Sequence, residues 1–159
     1  MKKIYLNLMA ICFALFAMVS LIACSSDDDA PSSASIKENI VGLWQTTHIS
    51  GWTYDDTEEE NLMKIDQDIT EDSRYAQRFL FKGDGTFYSY FYSTYSDRWI
   101  AWSNYETYDI SGNKLLIYYK NELEDTYEVI SLKGNTAVIQ YYMDEGPQYK
   151  TKLTCKRIL

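Results

Sequence analysis

Beyond residue 36 the chain alternates short apolar runs with polar turn signals. The runs cover Ile40–Ile49, Tyr75–Lys82, Thr86–Ser93, Trp99–Ile110, Lys114–Lys120, Thr126–Leu132, Thr136–Met143 and Gln148–Ile158. They are rich in aromatic and β-branched side chains, which favour strands. Gly83-Asp84-Gly85, Gly112-Asn113, Gly134-Asn135 and Asp144-Glu145-Gly146-Pro147 separate neighbouring runs. Such segments predict tight hairpins, because Gly, Asn and Asp tolerate positive φ. Alternation supports the assignment. In the last run Tyr149, Thr151, Leu153, Cys155 and Arg157 share one face, and Lys150, Lys152, Thr154 and Lys156 the other. Ala137, Ile139 and Tyr141 share a face in the run before it. Lys114–Lys120 is apolar on both faces, which means two covered faces or a sticky outer surface. Asp55 to Arg74 breaks the rhythm with an acid-rich stretch, where Leu62, Ile65 and Ile69 lie at helical spacing. Eight strands in hairpin succession predict an all-β, antiparallel up-and-down barrel. A short helical or loop excursion after strand 1 would serve as its lid.

The N-terminal pattern is different. Lys2 and Lys3 precede an almost unbroken apolar run from Leu8 to Ile22. That run is shorter than the roughly 20 residues a spanning helix needs, and it suits a secretory signal. It ends in Leu21-Ile22-Ala23-Cys24, which resembles the lipobox of bacterial lipoproteins. The resemblance implies cleavage before Cys24 and attachment of fatty-acyl chains such as palmitate to that residue, an anchor that needs no spanning helix. Residues 1–23 are then the signal peptide, 24–36 a flexible acidic and Ser-rich tether, and 37–159 the barrel domain. Asp27-Asp28-Asp29 follows Ser25-Ser26 and resembles the Ser-Asp-rich export signal of Bacteroidota surface lipoproteins. The expected location is the outer membrane, lipid-anchored and exposed at the cell surface. The bland reading of the acid run is a solvated spacer.

Composition narrows the function classes. Lys plus Arg number 15 against 23 Asp plus Glu, a formal net charge of −8, which argues against nucleic-acid binding. One His and three Cys exclude a disulfide framework and zinc-finger spacings. Cys12 leaves with the signal and Cys24 is acylated, so Cys155 is the sole free thiol. His48 has no second His to share a metal, and no nucleophile elbow occurs. Asp66 to Asp72 starts like a calcium loop, but its sixth position is Glu71 and its twelfth Gln77. No carboxylate pair reads as sitting in an apolar context that would raise a pKa. The expectation is a protein that is not an enzyme and uses no metal or cofactor.

Gly42-Leu43-Trp44 near the start of the first strand resembles the Gly-x-Trp of lipocalins and the wider calycin group. The stretches Phe81–Phe87 and Tyr108–Leu115 are similar to hairpins of lipocalin-like domains in Bacteroidota lipoproteins. The likeness covers roughly 40–158. It implies that Gly42 and Trp44 belong to a barrel floor, with Arg157 of the last strand packed across the Trp. It also implies an interior that holds one small ligand. The aromatics fit such a cavity, and Phe87, Phe91, Trp102, Tyr108, Tyr119 and Tyr141 are its expected lining. The acidic excursion and the absence of a disulfide depart from the pattern and leave the mouth undefined. Two functions stay open. One is binding of a small, largely apolar or aromatic ligand. The other is an interaction module with a filled barrel, meeting a protein or glycan through its outer aromatic or acidic surface. The sequence points to no particular protein partner.

The N-terminal reading has a direct test. A Cys24→Ser protein is expected to keep its signal and to leave the membrane fraction. Replacing Asp27, Asp28 and Asp29 by Ala is expected to preserve lipidation and to reduce cleavage by protease added to whole cells.

Overall fold

In the computed structural model, the described residues form ten strands and one helix in chain order. The structure describes residues 30–54, 61–102, 106–143, 146 and 148–159. The lipobox, Cys24 and the aspartates of the tether lie outside them. Helix α1 spans Ser33–Asn39. The strands are β1 (Gly42–Tyr54), β2 (Leu62–Asp68), β3 (Gln77–Phe81), β4 (Thr86–Ser93), β5 (Arg98–Ala101), β6 (Glu106–Ser111), β7 (Lys114–Tyr119), β8 (Glu122–Lys133), β9 (Thr136–Tyr142) and β10 (Lys150–Arg157).

These ten segments make an eight-stranded antiparallel barrel, because two of its staves are interrupted. β3 pairs with β1 at Gly42–Gln45, and β2 pairs with the same edge of β1 at His48–Tyr54. β6 pairs with β4 at Thr86 and Phe87, and β5 continues along that edge from Tyr90 to Ser93. Hairpin neighbours run from β6 to β10, and β10 returns to β1 to close the barrel.

The excursion after strand 1 is present, but residues 62–68 form a strand where their apolar spacing suggested a helix. Ladder pairing with the long β1 outweighs the local signal, and Ile65 and Ile69 are buried all the same. The run expected at Trp99–Ile110 is split into β5 and β6. Residues 33–36, assigned to the tether, belong to α1. Ser32 caps that helix, and its Ile36 is fully buried.

Side chains of alternate residues fill the barrel towards its α1 end. Phe79, Phe81, Phe87, Leu115, Ile117, Val129, Ile139, Leu153 and Cys155 are buried there with Ile36 and Ile40. Trp44 is 1 % exposed, and its indole N–H donates to the Ile40 carbonyl at 2.6 Å. Arg157 is the register partner of Trp44 across β1 and β10. Its guanidinium lies 4.6 Å from the Trp44 ring centre and donates to the Asn39 carbonyl. Gly42 has φ +140, and a Cβ there would sit 2.6 Å from the Leu159 carbonyl oxygen, so the chain crossing at this point requires glycine. Helix, Trp and Arg together seal one end of the barrel.

Trp44→Ala is expected to cost about 3–5 kcal/mol in urea unfolding, the range for a large aromatic removed from a core. Cys155 is fully buried, and burial pushes its thiol up to about 12. It is therefore expected to resist thiol reagents until the protein unfolds. A Cys155 that reacts in the native state at the rate of a free peptide thiol would contradict this packing.

Candidate functional site

Opposite the sealed end, the inward faces of β3, β4, β6 and β8 diverge around a cavity of about 240 Å³. β3 contributes Gln77 and Phe79, and β4 contributes Phe87, Ser89 and Phe91. Trp102 follows β5, Glu106 opens β6, and Glu124, Asp125 and Tyr127 come from β8. Register explains why these side chains converge. Gln77 faces Phe91, Phe79 faces Ser89, and Phe87 faces Glu106 across the ladders.

Aromatic rings make the apolar wall. Phe79 and Phe87 stack with centroids 6.2 Å apart, and Tyr127 tilts against Phe79 at 5.8 Å. Phe91 and Trp102 meet edge to face at 5.4 Å. The Trp102 backbone is tied to β4 by its N–H donating to the Ser89 carbonyl, while its side chain leaves the residue 71 % exposed. An exposed Trp at the rim of an aromatic cavity is the feature a bound ligand would cover.

The polar wall is acidic. Glu124 and Asp125 are neighbours in sequence, and both line the cavity because the β7–β8 ladder shifts register between Ile117 and Tyr118. Such bulges re-aim side chains at sites. Glu106 is 5 % exposed, and its Oε2 has no hydrogen-bond partner among the described residues. Burial, reinforced by the charges of Glu124 and Asp125, pushes its carboxyl up to about 6, against a hydrogen bond from Ser89 that favours the ionised form. The lining contains three carboxylates and, among the described residues, no Lys or Arg.

Of the expected lining, the cavity gathers Phe87, Phe91 and Trp102. Tyr108 packs edge-on to Phe81 at 5.2 Å, and its hydroxyl donates to the Lys82 carbonyl towards the sealed end. Burial raises its phenol pKa. Tyr141 lies behind the cavity against Tyr127, with ring centres 5.8 Å apart. Tyr119 is the ladder partner of Glu106, with the Lys120 ammonium 4.9 Å from its ring centre. His48 points away from the barrel interior. Its Nδ1 and Nε2 lie 2.9 Å from Asp68 Oδ1 and 3.1 Å from Asp66 Oδ1, so the acids that open the calcium-like run meet an imidazole instead.

Sequence reasoning missed Glu106. The expectation that no carboxylate pair sits in an apolar context is corrected by the burial of Glu106 beside Glu124 and Asp125. The available signal was alternation, since Glu106, Tyr108 and Ile110 share one face of a strand. Residues 40–139 match the family described as a lipocalin-like domain. No curated protein and no solved structure matches the chain.

The raised carboxyl has a consequence for stability. Folded Glu106 holds its proton up to about pH 6, against an ordinary value of 4.5. The folded state therefore binds more protons in that window, and stability falls as pH rises through it. Facing the group are Ser89 on β4, Tyr119 on β7, and Glu124, Asp125 and Tyr127 on β8. Glu106→Gln is expected to stabilise the protein by about 1–2 kcal/mol near neutral pH and hardly at all below the ordinary carboxylate pKa. Urea unfolding at the two pH values checks this, and an equal effect at both would remove Glu106 as the cause.

Proposed function

Since the chain belongs to the lipocalin-like domain family, we propose that it is a non-catalytic, lipid-anchored barrel that binds a small, largely apolar or aromatic ligand at the cell envelope. The observation that carries the binding reading is the aromatic cavity at the unsealed end. Phe87, Phe91 and Trp102 form its ring-lined wall. A volume of about 240 Å³ falls below that of sites for drug-sized molecules, so the ligand is compact, one ring with a short chain rather than a steroid or a porphyrin.

The anchor rests on the signal-like run and Cys24 in the sequence. Location in the outer membrane, facing outward, rests on the acidic tether. Pro31 and Ser32 lead directly into α1, which covers the sealed end of the barrel. A tether from Cys24 to this point spans at most roughly 30 Å. It would join the barrel at its floor and leave the cavity turned away from the membrane.

An interaction module remains the second reading. It is favoured by the outer face of β3 to β5, where Tyr88 stacks with Tyr90 at 6.4 Å and Arg78 lies 4.0 Å from the Trp99 ring centre.

Titrating compact aromatics, fatty acids, steroids and oligosaccharides into the protein tests the two. Compact aromatics are expected to bind with a negative heat-capacity change and to quench tryptophan fluorescence. Trp102→Ala is expected to weaken them by about tenfold, the scale of a lost aromatic contact. Oligosaccharide binding that survives Trp102→Ala, with no binding of compact aromatics, would establish the interaction module.

A further inference from the structure

Glu106 is costly where it stands. One carboxylate oxygen is buried with no partner among the described residues, and Glu124 and Asp125 line the same cavity. An apolar ligand would strip the remaining water from this wall and offer nothing in return. An anionic ligand would meet three like charges.

We propose that the cavity selects a ligand that joins a protonated amine to a compact aromatic or apolar body, with the ammonium donating to Glu106. This inference rests on the small-ligand reading above and adds the charge of the ligand.

Three features converge on it. The unpaired Oε2 needs a donor, and a cationic donor forms the stronger, charge-assisted bond. The neighbouring carboxylates favour a positive charge at the same point. The rings of Phe87, Phe91 and Tyr127 border the same space, and ring faces attract an ammonium while ring bodies pack against the apolar part. Trp102, 71 % exposed at the rim, is placed to close over the ligand's body. An inorganic divalent ion is served less well, because no group of three or more His, Cys, Asp or Glu that could hold a metal ion occurs among the described residues.

The test uses three phenyl-bearing probes that differ in charge. Phenethylamine, phenethyl alcohol and hydrocinnamate are titrated calorimetrically into the purified protein near neutral pH. The amine is expected to bind at least about tenfold more tightly than the alcohol, the scale of one charge-assisted hydrogen bond, and the carboxylate not at all. Glu106→Gln is expected to reduce the amine to the affinity of the alcohol. Trp102→Ala is expected to weaken amine and alcohol alike, which separates ring packing from charge. If alcohol or hydrocinnamate matches the amine, or if the amine keeps its advantage in Glu106→Gln, the amine inference is overturned while the small-ligand reading stands. If none of the three binds, both fall.

Discussion

The ladder between β1 and β10 is the constraint on which the rest of this molecule depends. It joins the first and last strands of the barrel and leaves neither as a free edge. It runs from Trp44 and Arg157 to Gly51 and Thr151. The two strands approach so closely that a Cβ on Gly51 would lie 2.1 Å from the Lys150 carbonyl oxygen. Closure also makes the two ends unequal. At one end the ladder delivers an indole and a guanidinium to the same register position, where α1 can cover them. At the other end β1 runs on past the barrel and carries β2 with it. A sealed floor and an unsealed mouth follow from where one ladder begins and ends.

The cavity is the part of the interior that the core does not fill. Below it, Phe79, Phe81 and Phe87 pack against Leu115, Ile117 and Val129. Above it, the staves β2–β3 and β5–β6 are interrupted and β8 bulges. These departures from regular pairing lie on the walls that face the cavity or beside them. They bring two consecutive acids and a rim tryptophan to one place, which an unbroken strand with its alternating faces could not do. Glu106 belongs to the same pattern. Its buried charge is a stability cost near neutral pH, and stability given up at one polar group inside an otherwise apolar wall is characteristic of a site rather than of a core.

The acidic excursion takes a structural part in this account. Asp66 and Asp68 flank His48 on the outside of β1, and Glu71 pairs with Arg78 at 2.5 Å. Arg78 in turn donates to Gln45 and lies over Trp99, so β1, β3 and β5 share one surface network. Charge that reads as a solvated face in the sequence thus helps hold together the barrel wall that carries β3 and β4.

Local chemistry by itself determined the strands and their turns, while the floor was implied by the family resemblance that Gly42, Trp44 and Arg157 carry. Period-two alternation is an intrastrand property, so the inward face of β10, with Leu153, Cys155 and Arg157, was legible without neighbours. Asp-Gly and Gly-Asn turns are equally local, and they set the hairpin order and hence the barrel. Phe87 and Phe91 followed from the same alternation. Tertiary structure decided whatever depends on a partner strand. The shift between Thr46 and His48 in the ladder with β10 reverses the phase of β1, sending Ile49 inward and His48 outward. Pairing with β1 made a strand of residues 62–68 against their helical spacing. The β7–β8 bulge set Glu124 beside Asp125 at the cavity. Burial of Glu106 depends on Phe87 across its ladder and on β8 across the interior, and no residue near it in sequence encodes either. Register, bulges and desolvation are relations between distant segments, so the barrel could be read from the chain while the acidic wall of its cavity could not.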